Sequence, residues 1–234
     1  MEKFPDTVQD FLDGQILLIN KPLGWTSFAV VKKIKNLIRT KYSLKKLKVG
    51  HAGTLDPLAT GLLIVCTGKF TKRISELQGQ TKVYTGDITL GETTPSYDLE
   101  TEIDAEFATD HISEPLVKAT TAQFIGEIDQ KPPIYSALKR GGERLYKKAR
   151  RGENFEIKSR KVSVHSFDII GFKIPKVSFE IKCSKGTYIR SIAHDFGTAL
   201  NSGSHLSKLC RTAIGDHQLA NSLDLSDFEK QLNS

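Results

Sequence analysis

The stretch Lys48-Val49-Gly50-His51-Ala52-Gly53-Thr54-Leu55-Asp56-Pro57-Leu58-Ala59-Thr60-Gly61 constrains this chain more than any other. Pro57 fixes its own φ and biases Asp56 towards an extended backbone. Gly50, Gly53 and Gly61 open angles that other residues avoid. Asp56 is also the first acid after a long basic segment. From Gly14 to Leu55 there is no Asp or Glu, while Lys21, Lys32, Lys33, Lys35, Arg39, Lys41, Lys45, Lys46 and Lys48 supply nine positive charges. A carboxylate presented by a rigid loop among cations suits a nucleophile beside a phosphate-binding surface. From the residues alone, Asp56 also reads as a turn residue, and each lysine as part of a solvated face.

Charge is laid out in blocks. Tyr84 to Val117 carries nine acids and no Lys or Arg, whereas Lys131 to Lys161 carries eleven bases against three acids. With a net charge of +7, this predicts a basic face for a polyanionic partner and an acidic flank turned away from it. At 234 residues, 38% of them hydrophobic, the chain is long enough for one large domain or a domain with a small subdomain. Cys66, Cys183 and Cys210 are widely spaced, which supports neither a disulfide framework nor a zinc ribbon. Met1 to Asp13 lacks the pattern of a signal peptide, and the run Leu62 to Cys66 is too short to span a bilayer. A cytoplasmic protein with reduced thiols is expected.

Periodicity predicts a strand over Gln15–Asn20 and a helix after Thr26 or Ser27, whose apolar stripe is Val30, Val31, Ile34, Leu37 and Ile38. Strands are expected over Gly61–Thr67, Val83–Leu90, Phe155–Phe172 with a bend, Val177–Cys183 and Leu206–Ile214. Helices are expected over Lys72–Leu77, Glu114–Phe124, Arg144–Arg151, Thr187–Leu200 and Ser222–Leu232, with an acidic hairpin or loop at Glu92–Asp110. Strands and helices do not alternate regularly, so the expectation is an α+β fold with a mixed, largely antiparallel sheet flanked by helices.

Three further segments carry chemistry: Lys131-Pro132-Pro133-Ile134-Tyr135-Ser136-Ala137, the basic Arg144-Leu145-Tyr146-Lys147-Lys148-Ala149-Arg150-Arg151, and Ser184-Lys185-Gly186-Thr187-Tyr188-Ile189-Arg190. The last opens a helix whose unpaired N–H groups suit an anion. Together with Leu17-Leu18-x-x-Lys21-Pro22-x-Gly24-x-Thr26-Ser27 and the Asp56 block, these ordered motifs make the chain resemble the bacterial tRNA pseudouridine-55 synthases, the TruB family. The resemblance runs from about Leu17 to Thr212.

It implies isomerisation of a uridine in the T-loop of tRNA to pseudouridine, with no cofactor, no metal and no obligatory protein partner. Asp56 takes the place of the catalytic aspartate, Tyr84 that of the tyrosine stacked on the target base, and Arg190 that of the arginine paired with the aspartate. His51, Tyr188 and Leu209 match residues around the flipped nucleotide, and Lys21 with Pro22 the motif that braces the catalytic loop. Lys139, Arg144, Lys147, Lys148, Arg150 and Arg151 are the expected contacts to the tRNA T-arm. The implied organisation is a lead-in over 1–14, a catalytic domain over 15–212 and a short tail over 213–234, without a full C-terminal RNA-binding extension.

Asn20 stands where many relatives have Asp, and Cys210 where Arg is usual. Two other classes keep a foothold: an RNA-binding factor whose chemistry is secondary, and an aspartate-nucleophile phosphotransferase. The latter needs a second acid and a magnesium site, and the acid-free stretch before Asp56 offers neither.

Overall fold

A Thr7-x-x-Asp10 capping box, in which each side chain bonds the other's backbone N–H, opens helix α1 (Val8–Asp13). The structure is a computed structural model that describes residues 4–5, 7–136, 139–140, 143–144, 151 and 157–234. It divides the chain into two units, residues 1–84 with 209–234, and residues 85–208. In the first, strand β1 (Ile16–Lys21) leads to helix α2 (Ser27–Lys41), which Thr26 caps by accepting from the Ala29 N–H at 3.0 Å. Val30, Val31, Ile34 and Ile38 are buried against Phe11, Ile19, Leu63 and Val65. Strand β2 (Val49–His51) and strand β3 (Ala59–Thr67) follow. The short helix expected over Lys72–Leu77 is present, shifted by two residues, as α3 (Ile74–Gly79), and a 3₁₀ segment, Gly68–Arg73, leads into it. Strand β4 (Lys82–Leu90) begins in the first unit.

In the second unit the acidic segment folds as a small hairpin, β5 (Glu92–Thr93) with β6 (Ala105–Glu106). Ser113 caps α4 (Glu114–Thr121), and a 3₁₀ turn carries it on to Phe124. Strand β7 (Gly126–Gln130) was not expected from the sequence. The basic helix expected over Arg144–Arg151 does not start at Arg144, because β8 (Lys139–Arg140) pairs with β9 (Glu143–Arg144). Strand β10 (Arg160–Lys173) starts later than Phe155 and has two register shifts, the predicted bend, where it pairs with β11 (Lys176–Cys183). Helix α5 (Ile189–Ala199) packs Phe196 against Phe124 and Phe167, with ring centroids 5.9 and 5.2 Å apart. The sheet order here is β4-β11-β10-β7.

The chain returns to the first unit through β12 (Ser204–Ile214), followed by β13 (His217–Gln218) and α6 (Leu225–Asn233). Phe228 and Leu232 of α6 join the α2 core, and Glu229 pairs with Lys33 at 2.9 Å. Strand β3 is the hub. One edge pairs antiparallel with β1, while the other is shared by β2, antiparallel at Val65–Thr67, and β12, parallel at Ala59–Gly61. Enclosed on nearly every side, β3 reads as a continuous apolar run.

Candidate active site

The Asp56 loop is held by backbone carbonyls gathered on one cation. Lys21 ends β1 opposite Gly61 and is fully buried. Its ammonium donates to the carbonyls of Trp25 at 2.7 Å, Pro22 at 3.0 Å and Pro57 at 3.3 Å. Burial pulls the Lys21 pKa down to about 8; the Asp56 charge opposes that shift and the Arg211 charge adds to it. The Ser27 hydroxyl donates to the Leu55 carbonyl at 3.1 Å and accepts from the Leu55 N–H at 2.9 Å. Gly24 N–H donates to Pro57 O at 2.8 Å, and Ala59 N–H to Asp56 O at 3.1 Å. Both flanks of the half-buried Asp56 are thereby fixed. Asn20, where relatives carry Asp, turns its amide to Asp224 at 3.0 Å, and Lys21 is braced by carbonyls.

Arg211 is the second buried cation here, and sequence reasoning passed over it. Its guanidinium donates to Leu62 O at 2.8 Å and to Gly53 O at 3.0 Å, tying the loop to β3. The signal was in the period of β12, where Leu209, Arg211 and Ala213 alternate as buried positions. His51 sits opposite Val65, and its buried Nδ1 has no hydrogen-bond partner among the described residues. Burial, and secondarily the Arg211 charge, lower its pKa, so the ring is neutral at pH 7. Leu209 lies opposite Ala59, three residues past Asp56. Gly61, at φ +102°, is required there: a Cβ would fall 2.4 Å from the Arg211 carbonyl oxygen. Tyr84 is buried within β4, at the last residue of the first unit's leading segment.

The basic segment also closes on itself. Lys35, Arg39, Lys45, Lys46, Lys48, Lys69 and Lys72 line a cleft of about 620 Å³ in the first unit. Lys35 and Arg39 thus belong to a concave cationic surface rather than to a merely solvated face.

Tyr188 and Arg190 belong to the second unit. Arg190, in the first turn of α5, is buried; it donates to Tyr135 O at 3.0 Å and Ser96 O at 3.2 Å and pairs with Asp98 at 3.5 Å. The acidic segment therefore supplies a buried ion-pair partner as well as an exposed flank. Tyr188 exchanges two hydrogen bonds with the Gln130 amide, at 2.7 and 3.0 Å. Its N–H, expected to be free for an anion, is thereby taken. The Arg160 guanidinium lies 4.6 Å from the Tyr188 ring centroid and also bonds Gly186 O. Ser191 Oγ donates to Lys131 O at 2.8 Å, which draws the Lys-Pro-Pro motif onto α5. His194 stacks on Tyr97, with centroids 3.9 Å apart. Of the expected RNA contacts, Arg151 is exposed; Lys147, Lys148 and Arg150 lie outside the described residues, and only the backbone of Lys139 and Arg144 is described. Among the described residues no three His, Cys, Asp or Glu side chains gather as a metal site, and no helix is long and apolar enough to cross a membrane.

The mixed sheet and the braced aspartate loop define a pseudouridine synthase catalytic domain. Its backbone superposes on the crystal structure of a Cbf5–Nop10–Gar1 complex with a TM-score of 0.70 and 28% identity, covering 94% of this chain and 54% of that one. An H/ACA RNP bound to a substrate RNA containing 2′-deoxyuridine gives 0.68 and 26%, covering 94% and 53%. The chain thus spans about half the length of these solved proteins. Within that class the chain belongs to the TruB family: the profile of the TruB family pseudouridylate synthase N-terminal domain matches residues 39–189. It is 60% identical to the tRNA pseudouridine synthase B of Flavobacterium johnsoniae, over 97% of this chain and 99% of the relative. It is 50% identical to that of Phocaeicola vulgatus, over 96% and 95%.

Proposed function

We propose that this chain converts the uridine at position 55, in the T-loop of tRNA, to pseudouridine, with Asp56 as the nucleophile. The observation that carries the proposal is the fixing of the Asp56 loop by two buried cations and Ser27, in a chain of this family. A surface turn needs no such bracing, whereas a nucleophile must be held in one geometry.

The reaction breaks the N1–C1′ bond, turns the uracil and forms a C5–C1′ bond. The C5 proton leaves and N1 takes one up, so the exchange is balanced without electron transfer and calls for neither cofactor nor metal. The base must first leave its stack, at a few kcal/mol. Stacking on Tyr84 returns about 1–3 kcal/mol of that. Arg190, which is ion-paired with Asp98, is the arginine we assign to the Asp56 carboxylate, to keep it ionised for attack. Neutral His51, with Tyr188 and Leu209, borders the flipped nucleotide. Lys21 keeps the loop in place. The cations of the Lys35–Lys72 cleft, with Lys139, Arg144, Lys147, Lys148, Arg150 and Arg151, hold the phosphates of the T-arm. The reaction takes place in the cytoplasm without an obligatory protein partner.

The test is tritium release from tRNA labelled at uridine C5, run with wild type and Asp56→Ala. The expected result is release from the T-loop by wild type and none by the variant, whose melting temperature and tRNA affinity stay within error. Wild-type levels of release by Asp56→Ala would remove the nucleophile assignment. No release by a folded, tRNA-binding wild type would favour the RNA-binding factor.

A further inference from the structure

Four large apolar side chains stand exposed in the first unit: Leu23, Trp25, Phe28 and Leu58, with Phe28 at 72% and Leu23 at 64%. Among the described residues of that unit they are the whole set, and all four lie in two short segments that meet at the Asp56 loop. Gly24 is bonded to Pro57, Lys21 gathers Trp25 and Pro57, and Ser27 bonds Leu55 in both directions. Exposed apolar residues scattered singly need no explanation, but a group confined to the rim of one loop does.

The fold does not account for Phe28. It occupies the first turn of α2, whose core contacts are made by Val30, Val31 and Ile34. One helical turn on stands Lys32, also exposed, so aromatic ring and ammonium share one face. Aromatic rings beside cations are the chemistry that holds unpaired nucleic-acid bases, the ring stacking on the base and the cation meeting the phosphate.

We infer that Trp25 and Phe28, flanked by Leu23 and Leu58, form a stacking platform for the unpaired RNA bases that neighbour the isomerised uridine. The inference rests on the uridine isomerisation proposed above. The occupant is a loop because a duplex keeps its base faces stacked and offers none to a ring. Continuity with the Asp56 loop places the platform beside the reacting nucleotide, where it would position substrate without entering the chemistry.

Trp25 is the sole tryptophan in the chain, so its emission reports this patch alone. Wild-type protein is titrated with a T-arm stem-loop RNA and, separately, with a blunt duplex of the same stem. The platform predicts quenching by the stem-loop and none by the duplex. Steady-state tritium release with Phe28→Ala, folded by circular dichroism, is expected to show KM for the stem-loop raised about tenfold and kcat within about twofold. Equal quenching by the duplex would overturn stacking. So would unchanged wild-type emission with the stem-loop together with an unchanged KM for Phe28→Ala, in a protein whose wild type releases tritium. Quenching by the stem-loop without tritium release would keep the platform and remove the isomerisation. A dimer seen by sedimentation and dissolved by Phe28→Ala would assign the patch to a second copy of the chain and overturn the RNA reading.

Discussion

Two buried cations, one in each unit, are held in opposite ways. Lys21 rests on three neutral carbonyls, whereas Arg190 has two carbonyls and the Asp98 carboxylate. A carbonyl cage returns part of the hydration an ammonium loses but no net charge, so burial wins and the Lys21 pKa falls to about 8. A guanidinium stays charged under any such pressure, and its planar fork meets several acceptors at once. The comparison teaches that the Lys21 site has a charge that pH can remove, while the Arg190 site is permanent and depends on its counter-ion.

The sharpest way to break the comparison is Asp98→Ala, which takes a carboxylate partner from a buried guanidinium. A loss of about 3–5 kcal/mol is expected by urea denaturation, with turnover falling in the same variant. A loss below 1 kcal/mol would make the pair dispensable.

The next effect separates the two sites by pH. Unfolded, Lys21 keeps its proton up to about 10.5; folded, only up to about 8. Between these values the unfolded chain binds more protons, so this group makes stability rise with pH, by up to about 3 kcal/mol. The same proton loss strips a positive charge from beside Asp56, so kcat/KM should decline above pH 8. Lys21→Met is expected to lack this ramp, so that the wild-type-minus-variant stability difference rises with pH over that window. A curve for the variant that rises as steeply as wild type would assign the ramp elsewhere.

The smallest effect is that of Ser27→Ala. It removes the two hydrogen bonds that Ser27 makes to buried Leu55, each worth about 0.5–1.5 kcal/mol net, and should slow tritium release several-fold while tRNA affinity holds. An unchanged rate would show that Asp56 keeps its position without this brace.

Most of the framework was legible because its signals are local. The stripe Val30, Val31, Ile34 and Ile38 and the Thr26 cap are written at helical spacing, and α2 formed where they predict. Local signals also went unused. Thr7-x-x-Asp10 announces α1, and the pairing of Lys139-Arg140 with Glu143-Arg144 lies in a segment whose charge pointed to a basic helix. Of the site, the Asp56 loop stood out through its Gly and Pro pattern. The cage around Lys21 did not, since its acceptors are backbone carbonyls, which every residue carries. The Arg190–Asp98 pair joins residues from separate segments, and no spacing rule links them.

The parallel pairing of β3 with β12 sets a timetable for synthesis. Asp56 leaves the ribosome early, but Leu209 and Arg211, which seat the loop against β3, follow some 155 residues later. At about 5–20 residues per second, that interval lasts roughly 8–30 seconds. Throughout that interval a nascent chain carries its aspartate on an unfinished loop, and a product that ends before Leu209 lacks that seat.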